Sequence, residues 1–571
     1  MTDTGSRSLA LIGSGGTGVM TAGQILLDAA ARAGLYGLMT RSYGPQIRGG
    51  EAAAILRLGS TPLHNQDDTL DILLAFDWGN IERFSAELPL APGNLVIHDP
   101  AAGAVPDVIA QSGARLLAIP FQEQARALKR GRVNMLGLGL LGRLTGLARE
   151  DLQAAVTGQM QGKGEDILEQ ALACLEAGER ACDMDSAHIP SGKETQAERW
   201  ALSGNEAVAL GALRGGVRFC AAYPITPSTD IVEWLAEHLP ALGGNLVQGE
   251  DELATINMCL GASYGGVPSM TATSGPGLSL MVESIGLGVA AELPVLVVDV
   301  MRGGPSTGIP TKSEQSDLDI ALYGVHGDAP HLVLAPNTIS DCVITTQWAV
   351  GLSERLQTPA IVLSDQNMAQ ARAVLDAPEL SDFADRRTLC EQPEDEYRRY
   401  ALTADGISPM TLPGTRGGQY VAEGLAHDVQ GRPSSRTEDH LEQLDKRRDK
   451  LLHHDFGDRW ADTEGTGRTA ILTWGSLTGP AREALSRAAD RGLNARLISI
   501  RLLAPAQPQR LAELLDGVDR LLVVEQTHSA QFHRYLRAHY TLPPQVHTLH
   551  RPGPVPIRPG EILRALEEIS A

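Results

Sequence analysis

Between residues 217 and 365 the chain repeats one idiom: a run of apolar residues that breaks off into Gly, Pro, Ser, Thr or an acid, as in VRFCAAYP, NLVQGE, SMTATS, LPVLVVDV, PHLVLAP and PAIVLSD. Nothing else in the sequence restricts the fold as strongly. Several of the runs are almost continuously apolar, as expected of strands buried on both faces in a parallel sheet sandwiched by helices. Amphipathic stretches such as GNEAVALGALRGG fill the intervals. A parallel α/β unit is therefore expected, and ligands of such units sit beyond the carboxyl ends of the strands.

The idiom also occurs on either side. SLALIG runs through GSGGTG into the helical VMTAGQILLDAAARAG, and LDILLAF, NLVIHD and ARLLAIP follow as strands before the helical NMLGLGLLGRL and EDILEQALACLEAGERA. At the other end TAILTWG, NARLISIRLL and DRLLVVEQ alternate with helical stretches. A chain of 571 residues exceeds one ordinary core. The expectation is an α/β protein of three domains with mainly parallel sheets, spanning 1–182, 199–385 and 466–571. The polar segment 183–198 reads as a linker, and the charged, irregular 386–465 reads as a connecting strap that docks elsewhere and carries no chemistry.

A net charge of −21 argues against a general nucleic-acid surface, which needs clustered Lys and Arg. The six cysteines are scattered without a C-x-x-C pair, so no zinc or iron–sulfur site is expected on this chain and no metal ligand is assigned. The start MTDTGSRSLALIGSGG is not a signal-peptide pattern, and IGLGVAAELPVLVVDVM, broken by Glu292 and Pro294, reads as a helix followed by a buried strand. A cytoplasmic protein without membrane contact is the expectation.

Four motifs fall where a parallel sheet would hold a ligand. YPITPSTD follows VRFCAA; GEDELATINMCLGASYGG follows NLVQ; TSGPGLSLMVESIG follows SMTA; and MRGGPSTGIPTKSEQSDL follows LPVLVVDV. Glu250, Asp251 and Glu252 crowd a helix start, where the macrodipole favours negative charge. Capping accounts for one or two of them, and the apolar helix behind leaves the remaining carboxyl partly dry with a proton to exchange. Arg302 at a strand end, with Lys312 beyond a flexible loop, suits a carboxylate substrate; an ordinary surface loop is the bland alternative. In the first domain GSGGTG is a weak dinucleotide signal, because YGLMTRSYG offers no acid for the ribose. The loop is better read as facing another phosphate-bearing or acyl-carrier ligand. Arg41 and Arg48 of RSYGPQIRGGEAA read either as an exposed basic turn or as guanidinium groups presented to an anion.

Taken together, YPITPST, TSGPG and MRGGPSTGIPTKSEQSD resemble the 2-oxoacid:ferredoxin oxidoreductase family, in the arrangement where a γ domain is fused ahead of the α domains. The resemblance covers nearly the whole chain, is strongest to the 2-oxoglutarate enzymes, and implies a γ-type domain, a thiamine pyrimidine-binding domain and a transketolase C-terminal-like domain. It implies that Glu252 exchanges a proton with N1′ of thiamine diphosphate, that Thr226 bonds the keto-acid end of the substrate, and that Arg302 pairs with its carboxylate. Tyr223, Pro224, Ile225, Ser274 and Gly275 would line the pyrimidine side. Gly15, Gly16, Thr17 and Gly18 are the candidates for coenzyme A. For a second substrate carboxylate the candidates are Arg48 first, then Lys312, Ser306 with Thr307, and Arg41. Magnesium and a [4Fe-4S] cluster are then expected on a smaller β subunit in an α2β2 assembly, with ferredoxin exchanging electrons and the reaction running in either direction. Pyruvate or a branched-chain 2-oxoacid is the alternative substrate. An NAD(P)-dependent dehydrogenase and a non-catalytic assembly subunit are the readings from other classes.

Overall fold

The computed structural model describes residues 5–43, 50–182, 184, 189, 199–309, 312–378, 385–393 and 396–570. It contains three sheets, of eight, seven and five strands. The α/β class and the mainly parallel pairing agree with the sequence pattern, since the thirteen apolar runs quoted above all become strands. Contacts group the chain into two units, one of 1–203, 370–377 and 558–560, the other of 204–369, 378–557 and 561–571.

In the first unit, strand Ser6–Ser14 lies at the centre of the eight-stranded sheet, parallel to Ile72–Ala75 and antiparallel to Glu51–Gly59. Strand Tyr36–Tyr43 pairs antiparallel with Glu51–Gly59, so this half of the sheet is antiparallel. Arg41 therefore lies in a strand rather than in the basic turn expected for it; the alternation of YGLMTRSY was strand-like and the Gly-Pro beyond it masked the signal. Two further strands come from outside 1–182: Arg372–Asp376 extends the sheet beside Tyr36–Tyr43, and Arg199–Ser203 pairs in turn with it. Tyr36 donates to Asp376 at 2.8 Å while the Arg199 guanidinium lies 3.6 Å from the Tyr36 ring centroid. The expected boundary at 199 thus shifts to about 204.

In the second unit the seven-stranded sheet carries the six runs of 217–365, all parallel, with Leu502–Ala504 added antiparallel at one edge. Strands Leu296–Met301 and Ala360–Asp365 are buried throughout, which is why their sequences show no alternation. The five-stranded sheet is parallel except for Ala461–Gly465, which joins antiparallel to Ala495–Ile500. Among the described residues no helix is long and apolar enough to cross a membrane.

The strap docks through charge. Helix Gly275–Ala290 ends with Leu293 N–H donating back to Gly288 C=O at 2.8 Å, a closure that requires a left-handed residue, and that residue is Glu292 at φ +53. Its carboxylate is fully buried and receives Lys446 Nζ at 2.6 Å and Lys450 Nζ at 3.2 Å, both from strap helix Thr437–Leu452, while Arg399 donates to its backbone carbonyl at 2.9 Å. Burial opposes the charge on Glu292, but the lysines and Arg399 outweigh it and hold the carboxyl well below its ordinary 4.5; burial pushes Lys450 down to about 8. Removing one partner of such a cluster leaves buried charge uncompensated, so Glu292→Gln should lower unfolding free energy by about 3–5 kcal/mol in denaturant titration. Because the folded-state value of Glu292 is depressed, its stabilisation is complete above the unfolded value of 4.5 and is lost as pH falls through and below it. Acid unfolding of the wild type should therefore be steeper than that of the variant.

Candidate active site

The second unit gathers its motifs at the carboxyl ends of three neighbouring strands, Phe219–Ala222, Ser269–Thr273 and Leu296–Met301. After Ala222 the YPITPST turn closes on itself: Ser228 donates through its N–H and its hydroxyl to Ile225 C=O, and buried Asn205 donates to Pro227 C=O at 2.8 Å. This leaves Tyr223 and Thr226 exposed, Pro224 and Ile225 partly exposed, and Pro227 and Ser228 buried. Arg302 follows the last residue of strand Leu296–Met301 and donates from Nη1 to Thr226 C=O at 2.7 Å. The arginine and the turn are thus one structure. A guanidinium has five N–H donors, so the contact aims Arg302 without exhausting it.

Of the three acids at 250–252, Asp251 is the helix cap, accepting from Ala254 N–H at 2.7 Å, and Glu250 is exposed. Glu252 is buried, and no described residue donates a hydrogen bond to its carboxylate. It is pressed against TSGPG: a Cβ on Gly277 would lie 2.6 Å from Glu252 Oε1 and 2.0 Å from Thr273 Oγ1. Ser274, which precedes helix Gly275–Ala290, is fully buried with its hydroxyl unpartnered. A buried carboxylate lacking a donor, beside an unpartnered hydroxyl and a floor kept clear by glycines, suits a flat heterocycle bearing a protonated ring nitrogen.

The loop after Arg302 is tied at its ends, Gly303 N–H donating to Lys312 C=O at 2.9 Å and Ile309 N–H to Gly303 C=O at 3.0 Å. Ser306 and Thr307 are exposed on it, and Lys312 is half-buried. Residues 304–308 also spell G-x-S-x-G, but among the described residues between Arg302 and Leu318 no helix begins, so the strand-to-helix elbow of a serine hydrolase is not formed. The SEQSD end of MRGGPSTGIPTKSEQSDL was given no role by the sequence, yet its side chains are extensively bonded. Gln315 exchanges two hydrogen bonds with Gln526 and donates to Trp474 C=O, and Glu314 accepts from Gly553 N–H at 3.0 Å. Asp317 meets Gly275 so closely that a Cβ there would lie 2.6 Å from its Oδ2, and its carboxyl faces fully buried Asp299. The apolar strand LVVDVM contains one acid, and that irregularity was the signal available.

The remaining candidates lie in the first unit. Gly16 and Gly18 take φ +104 and +84, values that favour glycine, and Gly16 is exposed ahead of helix Val19–Arg32. Asp77 fills part of the loop, accepting from Ser14 N–H and Oγ at 2.8 Å, while Gly15 and Thr17 N–H donate to Gly50 and Ser14 C=O. The strand after this helix is not a parallel neighbour of Ser6–Ser14, which removes the dinucleotide fold. Arg41 is half-buried, and Arg48 lies outside the described residues.

Residues 210–446 match the family described as pyruvate flavodoxin/ferredoxin oxidoreductase, thiamine diphosphate-binding, and residues 8–181 match pyruvate ferredoxin/flavodoxin oxidoreductase. The chain is 30% identical to subunit alpha of 2-oxoacid:ferredoxin oxidoreductase 2 from Aeropyrum pernix, over 94% of both chains. It is 35% identical to the 2-oxoglutarate synthase subunit KorA of Methanothermobacter marburgensis, over 65% of this chain and 98% of that protein. The solved 2-oxoglutarate:ferredoxin oxidoreductase of Magnetococcus marinus, with 2-oxoglutarate, coenzyme A and succinyl-CoA bound, superposes with a TM-score of 0.90 at 35% identity, covering 99% of each chain.

Gly277→Ala would push Glu252 and Thr273 apart. An overpacking cost of about 1–3 kcal/mol is expected in denaturant unfolding, whereas the exposed Gly304, with open space around it, should accept alanine with no measurable change.

Proposed function

We propose that this chain, which belongs to the 2-oxoacid:ferredoxin oxidoreductase family, is the large subunit of an enzyme that oxidises 2-oxoglutarate. Coenzyme A and two oxidised ferredoxins are consumed, and succinyl-CoA, carbon dioxide, a proton and two reduced ferredoxins are formed; the reverse reaction fixes carbon. The observation that carries the reading is the joined Arg302–Thr226 pair in the same group of strand ends as the donorless carboxylate of Glu252. The substrate choice is supported by a relative named 2-oxoglutarate synthase and by a solved relative holding 2-oxoglutarate.

Thiamine diphosphate, when bound, supplies the nucleophile for the keto carbon and a sink for the electron pair that decarboxylation leaves behind. The roles of this chain follow from its own groups. Glu252 accepts and returns a proton at the aminopyrimidine N1′, in a position where little water competes. Tyr223, Pro224, Ile225, Ser274 and Gly275 line the pyrimidine, with the Ser274 hydroxyl as a buried hydrogen-bonding group. Arg302 receives the substrate's C1 carboxylate, held to its line by the Thr226 carbonyl, and the exposed Thr226 hydroxyl meets the keto-acid end. Arg48, which lies outside the described residues, and after it Lys312 are assigned to the distal carboxylate. Gly15, Gly16, Thr17 and Gly18 are assigned to coenzyme A, for which exposed Gly16 at a helix start gives a close approach.

A smaller β subunit is assigned the diphosphate with its magnesium and a [4Fe-4S] cluster, in a cytoplasmic α2β2 assembly. The purified chain alone should turn over no 2-oxoacid with a dye acceptor. With its β subunit, kcat/KM for 2-oxoglutarate should exceed that for pyruvate by about 100-fold or more, since a site built for a second carboxylate rejects substrates lacking it; a preference for pyruvate would overturn the substrate assignment and the role of Lys312. Glu252→Ala should cost at least about 100-fold in kcat while the complex still assembles on a sizing column; unchanged turnover would mark the chain as a scaffold.

A further inference from the structure

Behind Arg302 the structure places two acids that face one another. Asp299 sits in strand Leu296–Met301 between Thr273 and Leu363 of the neighbouring strands, has no solvent exposure, and neither of its carboxyl oxygens meets an N–H or hydroxyl donor. The carboxyl of Asp317 lies within hydrogen-bonding reach of it, and Asp317 Oδ2 is likewise buried without a donor. Asp317 cannot withdraw. Gln315 is bonded to Gln526 and Trp474, Ser316 C=O accepts from Gln531 at 2.9 Å, and Ser313 donates to Asp365 at 3.0 Å, so the whole segment is fixed.

Two buried carboxyl groups in contact, with no donor between them, cannot both be ionised. Burial raises both, and their mutual bond raises Asp299 further while lowering Asp317. The proton therefore resides on Asp299. The charge resides on Asp317, which lies against Gly275, the positive end of helix Gly275–Ala290; the Arg302 guanidinium, bonded to Thr226 C=O, acts on it through charge without an ion-pair contact. The other ionisable groups around the pair are Glu314 on the same segment, Asp365 on the neighbouring strand, which is bonded to Ser313, Glu252 across Gly277, and His528, which acts on Glu314.

We propose that Asp299 and Asp317, buried without other donors, hold a single negative charge between them, and that this charge, acting on Arg302 without touching it, limits how tightly the guanidinium holds the substrate carboxylate. The inference rests on the reading that Arg302 binds the C1 carboxylate of a 2-oxoacid. That group must leave: the C1–C2 bond breaks, the electron pair stays with C2, and C1 departs as neutral carbon dioxide. A guanidinium with no competing anion would over-stabilise the carboxylate before the bond breaks and oppose its departure.

The test uses the full complex with its β subunit, comparing wild type, Asp317→Asn and Asp299→Asn. Asp317→Asn should lower KM for the 2-oxoacid by about 3–10-fold and kcat by about 10–100-fold, the pattern of a ground state held too well, with KM for coenzyme A unchanged. In the wild type, KM for the 2-oxoacid should rise on the alkaline side as the pair loses its proton and a second charge draws Arg302 away; Asp299→Asn, whose amide donates permanently, should flatten that rise. Infrared difference spectra of the substrate-free complexes at neutral pH should show one protonated carboxyl in the wild type that is missing from Asp299→Asn. A raised KM with unchanged kcat in Asp317→Asn, or equal carboxyl bands in wild type and Asp299→Asn, would overturn the proposal. Should Asp299→Asn fail to assemble, Asp317→Asn and the wild-type pH profile decide. A wild-type complex inert toward every 2-oxoacid would instead reject the functional reading, and the infrared comparison would still decide whether the pair holds a proton.

Discussion

Two buried glutamines hold the catalytic face together. Gln315 N–H donates to Gln526 C=O at 3.0 Å and Gln526 N–H donates to Gln315 Oε1 at 2.9 Å, so each side satisfies the other where water is excluded. The Gln526 amide then serves the segment 551–557, donating to three backbone carbonyls and accepting from Ile557 N–H. The five-stranded sheet shares no strand with the seven-stranded one, yet through Gln526, just past its strand Arg520–Glu525, it fixes the loop that carries Asp317. A neutral amide network suits this task. It gives direction without adding charge to a region already holding Asp299, Glu314, Asp317 and Arg302, and its loss would strand several donors and acceptors at once.

Helix Gly275–Ala290 is where the chemistry and the scaffold meet. Its amino end carries Asp317 against Gly275, an arrangement the helix dipole favours. Its carboxyl end carries Glu292, an arrangement the dipole disfavours, in a backbone conformation that favours glycine. Lys446, Lys450 and Arg399 reverse that disadvantage, and all three come from the strap. The strap thus secures the helix whose other end lies beneath Glu252.

Much of this was legible in the sequence because parallel strands announce themselves. VRFCAA, SMTAT and LPVLVVDV are apolar for want of a wet face, and the punctuation after each marks the carboxyl end of a strand, where Thr226, Ser274 and Arg302 lie; what those residues do was implied by the family resemblance and not by the pattern. What escaped was set by contacts across long separations. EAAAILRLG and RAVLD are strands whose partners lie elsewhere in the chain, and ADTEG is too polar to be recognised without Ala495–Ile500 beside it. Asp299 was hidden in an apolar run, and Asp317 among polar neighbours. Their meaning lies in their meeting, which no local pattern encodes.

The eight-stranded sheet has a consequence for how the chain must be built. Its central strands are complete by residue 59, but the strand that covers Tyr36–Tyr43 is Arg372–Asp376, and Arg199–Ser203 pairs with the sheet only through it. During synthesis the long strand Tyr36–Tyr43 therefore keeps an open edge until more than three hundred further residues have been made. An open edge is a template for pairing with another nascent chain. The sheet therefore closes only on a chain synthesised past residue 376, and every shorter nascent chain carries that edge uncovered.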